Sequence, residues 1–299
     1  MAFLRQFSIR QRLLLNAITV AVSMLVMLGL LLFQSSQLTR LAELRLEVEQ
    51  LNLNVLQLRR SEKDFLLRSD IEYQQKFNQT ATELNQKAAL LSEGLADVGI
   101  DVSPLNSFTA FTKTYQGLFN QLVQLSSQVG LDPQSGLYGE LRAKAHELEQ
   151  AFKDTNDLLL TTQLLQLRRA EKDFMLRLDM KYLESFNKGF AEFRSQIQNS
   201  ITDASQAQEM QQLADAYSVA FTRLVEGEQK IGLAHDQGLM GQMREAIHQT
   251  EDSLDLMSKE TEAAVNRASS ASQTLAISLF VLVLVVVIAL VLMTSNSIL

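Results

Sequence analysis

Two long uncharged segments, one near each end of the chain, restrict the fold more than any other feature of the sequence. No charged residue lies in 13–39 or in 268–299, and residues 13–33 and 275–293 are almost entirely apolar. A helix needs about 20 apolar residues to cross the hydrocarbon core of a bilayer. The sequence therefore predicts two transmembrane helices, over 13–33 and 275–293.

The first apolar segment allows two interpretations, a cleaved signal peptide or an uncleaved anchor. The residues that follow it, Gln-Ser-Ser, do not form a small-x-small cleavage site, which favours the anchor. The residues that precede it include three arginines and no acidic residue: Arg5, Arg10 and Arg12. The positive-inside rule therefore places residues 1–12 in the cytoplasm. Two spans then place 34–274 outside the membrane, in the periplasm of a bacterium, and 294–299 back inside as the start of a linker.

The outer segment lacks the side chains of most catalytic centres. The chain has no Cys and three His, which excludes thiol catalysis and zinc–thiolate sites and leaves little material for histidine-based chemistry. All 34 acidic residues lie in the outer segment, which is therefore net negative. This charge argues against nucleic acid and anionic lipid as partners. We expect a protein that is not an enzyme and that holds no cofactor or metal.

Apolar residues at heptad spacing continue from the first span into the outer segment without a helix breaker. These apolar residues are Leu41, Leu44, Val48, Leu51, Val55 and Leu58. They predict one continuous helical rod. Helical composition persists to about Leu91, and Gly94, Gly99 and Pro104 predict the end of this first helix. Further helices are predicted over 105–129, over 137–200 with a capped break near 155–157, over 203–230, and from the next glycine turn into the second span.

The outer segment contains an internal repeat. The charged phrase RRSEKDFLLR occupies Arg59–Arg68, and RRAEKDFMLR occupies Arg168–Arg177, 109 positions later. A second correspondence, at an offset of 102, relates the glycine-bounded turn 130–136 to the turn 232–238. Each repeat consists of a phrase, a helix, a bend, a helix, a glycine turn and a helix.

Helix lengths, at 1.5 Å per residue, then predict how the repeats are arranged. The expected fold is all-α, with two stacked four-helix bundles between the two transmembrane helices. The six outer helices comprise two long ones that both bundles share and four short ones. The distal module covers about 63–171, and the proximal module covers about 34–62 plus 172–274.

Each charged phrase places a glutamate, Glu62 or Glu171, on the apolar seam of its helix. A buried carboxylate needs a cation beside it, and an arginine lies three residues upstream in both copies. We interpret the phrases as a reciprocal clasp between the modules, in which the arginines of one copy reach the glutamate of the other. Its predicted members are Arg59, Arg60, Glu62, Asp64, Arg68, Arg168, Arg169, Glu171, Asp173 and Arg177. In the alternative interpretation an arginine of the phrase binds a ligand carboxylate directly.

Basic residues with fewer acidic neighbours are better candidates for contact with an anionic ligand, because no internal carboxylate already neutralises them. These candidates are Arg244, Arg142, Arg223, Arg194 and Lys113. Two His-x-x-Glu pairs, at 146/149 and 248/251, have the spacing of metal ligands. A metal site in a helical bundle needs several further acids, so we expect surface roles for them.

The paired RRxEKDF phrases, the two spans and the segment FSIRQRLLL before the first span resemble the helical bimodular sensor domain of bacterial chemoreceptors and some sensor kinases. The resemblance covers essentially the whole chain. It implies a homodimer that binds a small carboxylate in the periplasm and transmits a signal through the membrane to a HAMP linker and an output domain. In one kinase branch the same domain docks a periplasmic binding protein instead. A membrane-anchored scaffold without a ligand is a third possibility.

Overall fold

The computed structural model describes residues 8–153 and 157–295, and every helix or strand assigned in that part of the chain is an α-helix. The prediction of an all-α fold is thereby confirmed. The helices are α1 (Ile9–Arg68), α2 (Glu72–Asp97), α3 (Ser103–Val129), α4 (Gly136–Lys153), α5 (Leu158–Arg177), α6 (Lys181–Ser200), α7 (Ala204–Ile231) and α8 (Gly238–Ser295). Arg5, residues 154–156 and residues 296–299, on which several predictions fell, lie outside the described residues.

The two apolar segments belong to the two longest helices. By length and composition, α1 and α8 can each cross a membrane, and their apolar windows are not buried against other parts of the chain. Helix α1 continues without interruption from the apolar segment to Arg68, which confirms the predicted rod. All six residues of the predicted heptad seam are buried.

Two helix reversals that the sequence did not predict split the outer segment further. At Ser69 and Leu178 the backbone enters the left-handed region, with φ of 52° and 51°, although neither residue is glycine. The N–H of each donates to the carbonyl four residues earlier at 2.7 Å, and the carboxylate of the following residue, Asp70 or Asp179, accepts the first N–H of the next helix. We call each of these tight turns between two helices a corner, and the charged phrase ends at an equivalent corner in both copies.

These corners correct one prediction. The first outer helix ends at Arg68 and not near Leu91, and Gly94 lies inside α2. The predicted module boundary at 171/172 lies within α5, ahead of the corner at Leu178, and stays a prediction. Six predicted outer helices thus become eight helices in the described residues, because each of two predicted helices is divided at a corner.

Helices α4, α5, α6 and α7 pack on one another around a shared core. Helix α4 contacts α7 and α5, and α6 contacts α5 and α7, which closes the ring of neighbours. The predicted break before α5 is confirmed by Asp157, whose carboxylate accepts the N–H groups of the first turn at 2.8 and 2.9 Å. Large apolar side chains fill the centre: Phe152, Phe174, Phe186, Phe193, Tyr217 and Phe221.

The contacts divide the chain into two compact units. Unit 1 comprises Met1–Leu53, Gln86–Asn106 and Ser253–Leu299, and unit 2 comprises Asn54–Asn85 and Ser107–Asp252. In unit 1 the Ser272 hydroxyl donates to Gln34 at 2.9 Å, which joins α8 to α1 next to the apolar segments. Unit 2 contains both charged phrases, both glycine turns and all the groups of the candidate site.

Candidate functional site

In each copy of the phrase the seam glutamate accepts a hydrogen bond from a buried tyrosine. Tyr115 of α3 donates its hydroxyl to Glu62, and Tyr217 of α7 donates to Glu171 at 2.6 Å. Burial raises the pKa of both tyrosines, and the neighbouring carboxylate raises it further because it disfavours a second negative charge. Both hydroxyls therefore remain donors at physiological pH.

The first arginine of each phrase pairs with a glutamate that the predictions had not included. The distance from Arg59 Nη1 to Glu251 Oε1 of α8 is 2.5 Å, and that from Arg168 Nε to Glu149 Oε1 of α4 is 2.9 Å. A histidine lies one turn before each of these glutamates. The distance from His248 Nδ1 to Glu251 Oε2 is 3.7 Å, and that from His146 Nδ1 to Glu149 Oε2 is 3.3 Å. The two copies thus have the same set of groups.

The two copies differ in how completely the arginine is neutralised. Arg168 binds Glu149 and, through Nη1, also Glu171, and its side chain is 16% exposed. Arg59 pairs with Glu251 and is 40% exposed, and no ion pair joins it to Glu62 among the described residues. Glu62 contacts Lys63 at 3.3 Å, as Glu171 contacts Lys172 at 3.1 Å in the second copy. We call the second copy the closed copy, because two carboxylates pair with its guanidinium, and the first copy the open copy, because only one described carboxylate pairs with its guanidinium.

A cavity of about 170 Å³ lies beside the open copy, between α1, α3 and α8. Its cationic and imidazole groups come from three parts of the chain: Arg59, Lys63, His235, Arg244 and His248. Glu62 is its one carboxylate among the described lining residues, and the remaining wall is apolar: Leu66, Leu122, Met240, Met243 and Ile247. We call it the α1–α8 cavity. Its volume equals about six molecules of liquid water, so it suits a ligand of few atoms.

Arg244 is the cation of this cavity that has no internal counter-ion. Among the residues the structure describes, it makes no ion pair, whereas Arg59 and Lys63 each have a carboxylate partner. The lining therefore combines one uncompensated guanidinium with an apolar wall. A guanidinium fork binds a carboxylate through two parallel hydrogen bonds.

The equivalent position beside the closed copy has a different set of side chains. Tyr138 of α4 stands where the first copy has Met240, and its hydroxyl donates to Glu228 of α7 at 2.7 Å. Burial raises the pKa of the Glu228 carboxyl, and the bond from Tyr138 partly offsets this. Ala145 replaces Ile247 and Pro133 replaces His235, so the position beside the closed copy has a smaller apolar side chain and lacks the imidazole.

The predicted clasp needs correction in its pairing. Arg59 and Arg168 each bind glutamates of the helices packed beside them, and no described ion pair joins the first phrase to the second. The reason is that Glu149 and Glu251 lie closer than the other phrase's glutamate. The remaining members form exposed ladders along their own helices, with nitrogen–oxygen distances of 3.6 to 3.8 Å: Arg60–Asp64–Arg68 and Arg169–Asp173–Arg177. Such ladders contribute little stability.

The predicted ligand-binding residues separate into three groups. Arg244 lines the α1–α8 cavity. Arg223 and Arg194 are paired with carboxylates, at 2.6 Å to Glu140 and 3.3 Å to Asp215. Arg142 and Lys113 are exposed and make no ion pair within the described part of the chain. Arg244 is exposed and unpaired as well, so its place in the lining of the α1–α8 cavity is what distinguishes it. No cluster of three potential metal ligands occurs in that part either.

Sequence reasoning missed the tyrosine of each copy, and it assigned surface roles to Glu149 and Glu251, which pair with the arginines of the phrases. A signal for them existed, since Tyr115 and Tyr217 are related by the same offset of 102 that relates Glu149 and Glu251. In comparisons with known proteins, no family model, no curated sequence and no solved structure matches this chain. The functional assignment therefore depends on the chemistry of the site, a small cavity lined by basic and apolar side chains.

Proposed function

We propose that this chain is the sensory region of a two-span membrane receptor and that the α1–α8 cavity binds a small organic carboxylate. The observation that carries the proposal is the uncompensated Arg244 in a small cavity with an apolar wall. A carboxylate group would pair with the guanidinium, and a short carbon chain would contact the leucine and methionine side chains. Because Arg59 and Lys63 are paired with carboxylates, the positive potential that attracts an anion would come from Arg244.

Helix continuity supports a role in signalling. Arg244 lies on α8, which runs on into the second apolar segment, and Arg59 lies on α1, which starts in the first. A ligand that contacts both helices has a different affinity for each of their relative positions. It therefore shifts the equilibrium between these positions by the difference in its binding free energies.

The finer architecture and the cellular setting are part of the same proposal. We infer two four-helix bundles, one of α4–α7 and one of α2, α3 and the outer parts of α1 and α8. The ring of contacts among α4–α7 supports the first bundle, and the internal repeat supports a second of the same kind. The chain would cross the inner membrane of a bacterium twice, with 34–274 in the periplasm, and would act as a homodimer of the helical bimodular type. The output domain would follow the second span.

Thermal unfolding of the detergent-solubilised chain tests the proposal. Acetate, propionate, succinate and malate at millimolar concentration are screened, and at least one should raise the Tm, because binding to the native state alone stabilises it. Arg244→Gln should abolish this increase. Arg142→Gln, the matched control in the second copy, should retain it. The helical circular dichroism signal should be native in both variants.

A second candidate function, docking of a periplasmic binding protein, rests on a different observation. A groove of about 460 Å³ at the start of α5 is bordered by the exposed leucines Leu158 and Leu165 and by the buried Phe152. Exposed apolar patches of this kind often mark protein contacts. Docking would be favoured if no acid raised the Tm and if Leu165→Asp removed binding to a purified periplasmic binding protein. An Arg244-dependent increase in Tm would favour the small ligand.

A further inference from the structure

We propose that Glu251 determines the charge of the ligand that the α1–α8 cavity accepts. With its carboxylate on Arg59, the cavity selects a monocarboxylate over a dicarboxylate. This inference rests on the proposed function, because it concerns the same cavity. It goes further by naming an internal carboxylate as the group that decides between two classes of acid.

The inference starts from the charged groups around the cavity. On α1 they are Arg59, Lys63 and Glu62, on α8 they are Arg244, His248 and Glu251, and the turn before α8 adds His235. On α3 the polar neighbour is Tyr115, which donates to Glu62. Glu62 neutralises Lys63 at 3.3 Å, and Glu251 neutralises Arg59 at 2.5 Å. One guanidinium, that of Arg244, remains for a ligand, and this matches one carboxylate.

The second copy shows that the arginine of the phrase can hold two carboxylates at once. Arg168 binds both Glu149 and Glu171. Arg59 holds one carboxylate and keeps 40% of its side chain exposed next to the cavity. A ligand with a second carboxylate would therefore be drawn to Arg59. There it would meet the negative charge of Glu251 close by, and this repulsion opposes the attraction of the guanidinium.

Removal of the Glu251 charge should therefore change the preference of the cavity. In Glu251→Gln the amide keeps the shape of the side chain and one acceptor oxygen, while Arg59 is left without its anionic partner. The cavity then has two uncompensated guanidinium groups, Arg244 on α8 and Arg59 on α1. Charge-assisted hydrogen bonds to both would favour a dicarboxylate that reaches from one to the other.

Isothermal titration of the full chain in detergent, with propionate and succinate as probes, tests this inference. Wild type should bind propionate more tightly than succinate. In Glu251→Gln the affinity for succinate should rise about tenfold or more, since a hydrogen bond to a charged group contributes enough for that factor. The affinity for propionate should change less than about fivefold, as expected of a screened surface charge. Glu149→Gln, the matched change in the second copy, should alter neither affinity.

Three outcomes would overturn the inference, and they can be told apart from failure of the proposed function. Equal gains for both acids in Glu251→Gln, or no gain for succinate, would refute the role of Glu251 while binding itself stands. Tighter binding of succinate than of propionate by wild type would also refute it. If neither acid bound to wild type or to Glu251→Gln, the proposed function would fail together with the inference.

Discussion

Replacement of the first arginine of each phrase by methionine is a direct test of the difference between the closed and the open copy. Arg168→Met and Arg59→Met are the same substitution at equivalent positions of the repeat. Methionine keeps an unbranched apolar stem, so the lost charge dominates the effect. In the closed copy the change leaves Glu171, whose side chain is 1% exposed, without its guanidinium partner. In the open copy it affects Glu251, whose side chain is 33% exposed.

The burial of the remaining partner determines the size of each effect. Removal of one member of a buried ion pair costs about 3–5 kcal/mol, because the other charge stays desolvated. Tyr217 and Lys172 still contact Glu171, so we expect the lower part of this range for Arg168→Met. Exposed pairs contribute about 0–1 kcal/mol, which is the expected loss for Arg59→Met. For a protein of 150–250 residues, 1 kcal/mol shifts the Tm by about 2–4 °C.

Thermal unfolding followed by circular dichroism, in one detergent and at one salt concentration, measures both values. The Tm of Arg168→Met should fall by at least about 6 °C and that of Arg59→Met by at most about 4 °C. Equal losses in the two variants would show that the closed network is no more important for stability than the open one. A loss below about 1 kcal/mol for Arg168→Met would refute the assignment of Glu171 as a buried, ionised partner.

Two further predictions concern stability elsewhere in unit 2. Burial raises the folded-state pKa of Glu228, so the stability that this group contributes is fully present at low pH and is lost as the pH rises through that pKa. Glu228→Gln should raise the Tm at neutral pH but not at acidic pH, and an equal change at both would contradict this. Gly232 has φ of 128°, and a Cβ added there would collide with the Gln237 carbonyl oxygen. Gly232→Ala should therefore lower the free energy of unfolding by more than about 1 kcal/mol. Gly117→Ala, on an open face of α3, should raise the free energy of unfolding by about 0.5–1 kcal/mol. If the unfolding midpoints of the two alanine variants shifted in the same direction, the role of positive φ at Gly232 would be contradicted.

The features that periodicity encodes could be predicted from the sequence. The heptad positions from Leu41 to Leu58 are buried, and the seam of each helix that carries a phrase correctly placed its glutamate, Glu62 or Glu171, inside the protein. Asp157 caps a helix where the sequence predicted a break. These predictions succeeded because each depends on the spacing of residues along one helix, which local sequence determines.

The corners and the partners of the phrase could not be predicted in the same way. At Ser69 and Leu178 the chain reverses without glycine or proline, since a non-glycine residue adopts positive φ and the next aspartate caps the following helix. Gly94 was interpreted as a helix breaker, but it lies inside α2, where a Cβ would be 2.6 Å from Leu44 Cδ2. Close packing against Leu44, and not a turn, accounts for the small residue there. Tertiary contacts of this kind leave no periodic signal in the sequence.

The number of carboxylate ligands bound per chain tests the central claim most directly. The claim is that the charged phrase occurs twice and that the carboxylate binds in the α1–α8 cavity beside the open copy, through the unpaired Arg244. Titration calorimetry with propionate should give one equivalent per chain, which Arg244→Gln removes and Arg142→Gln retains. Two equivalents of similar affinity, or binding that survives Arg244→Gln and is lost in Arg142→Gln, would contradict the account.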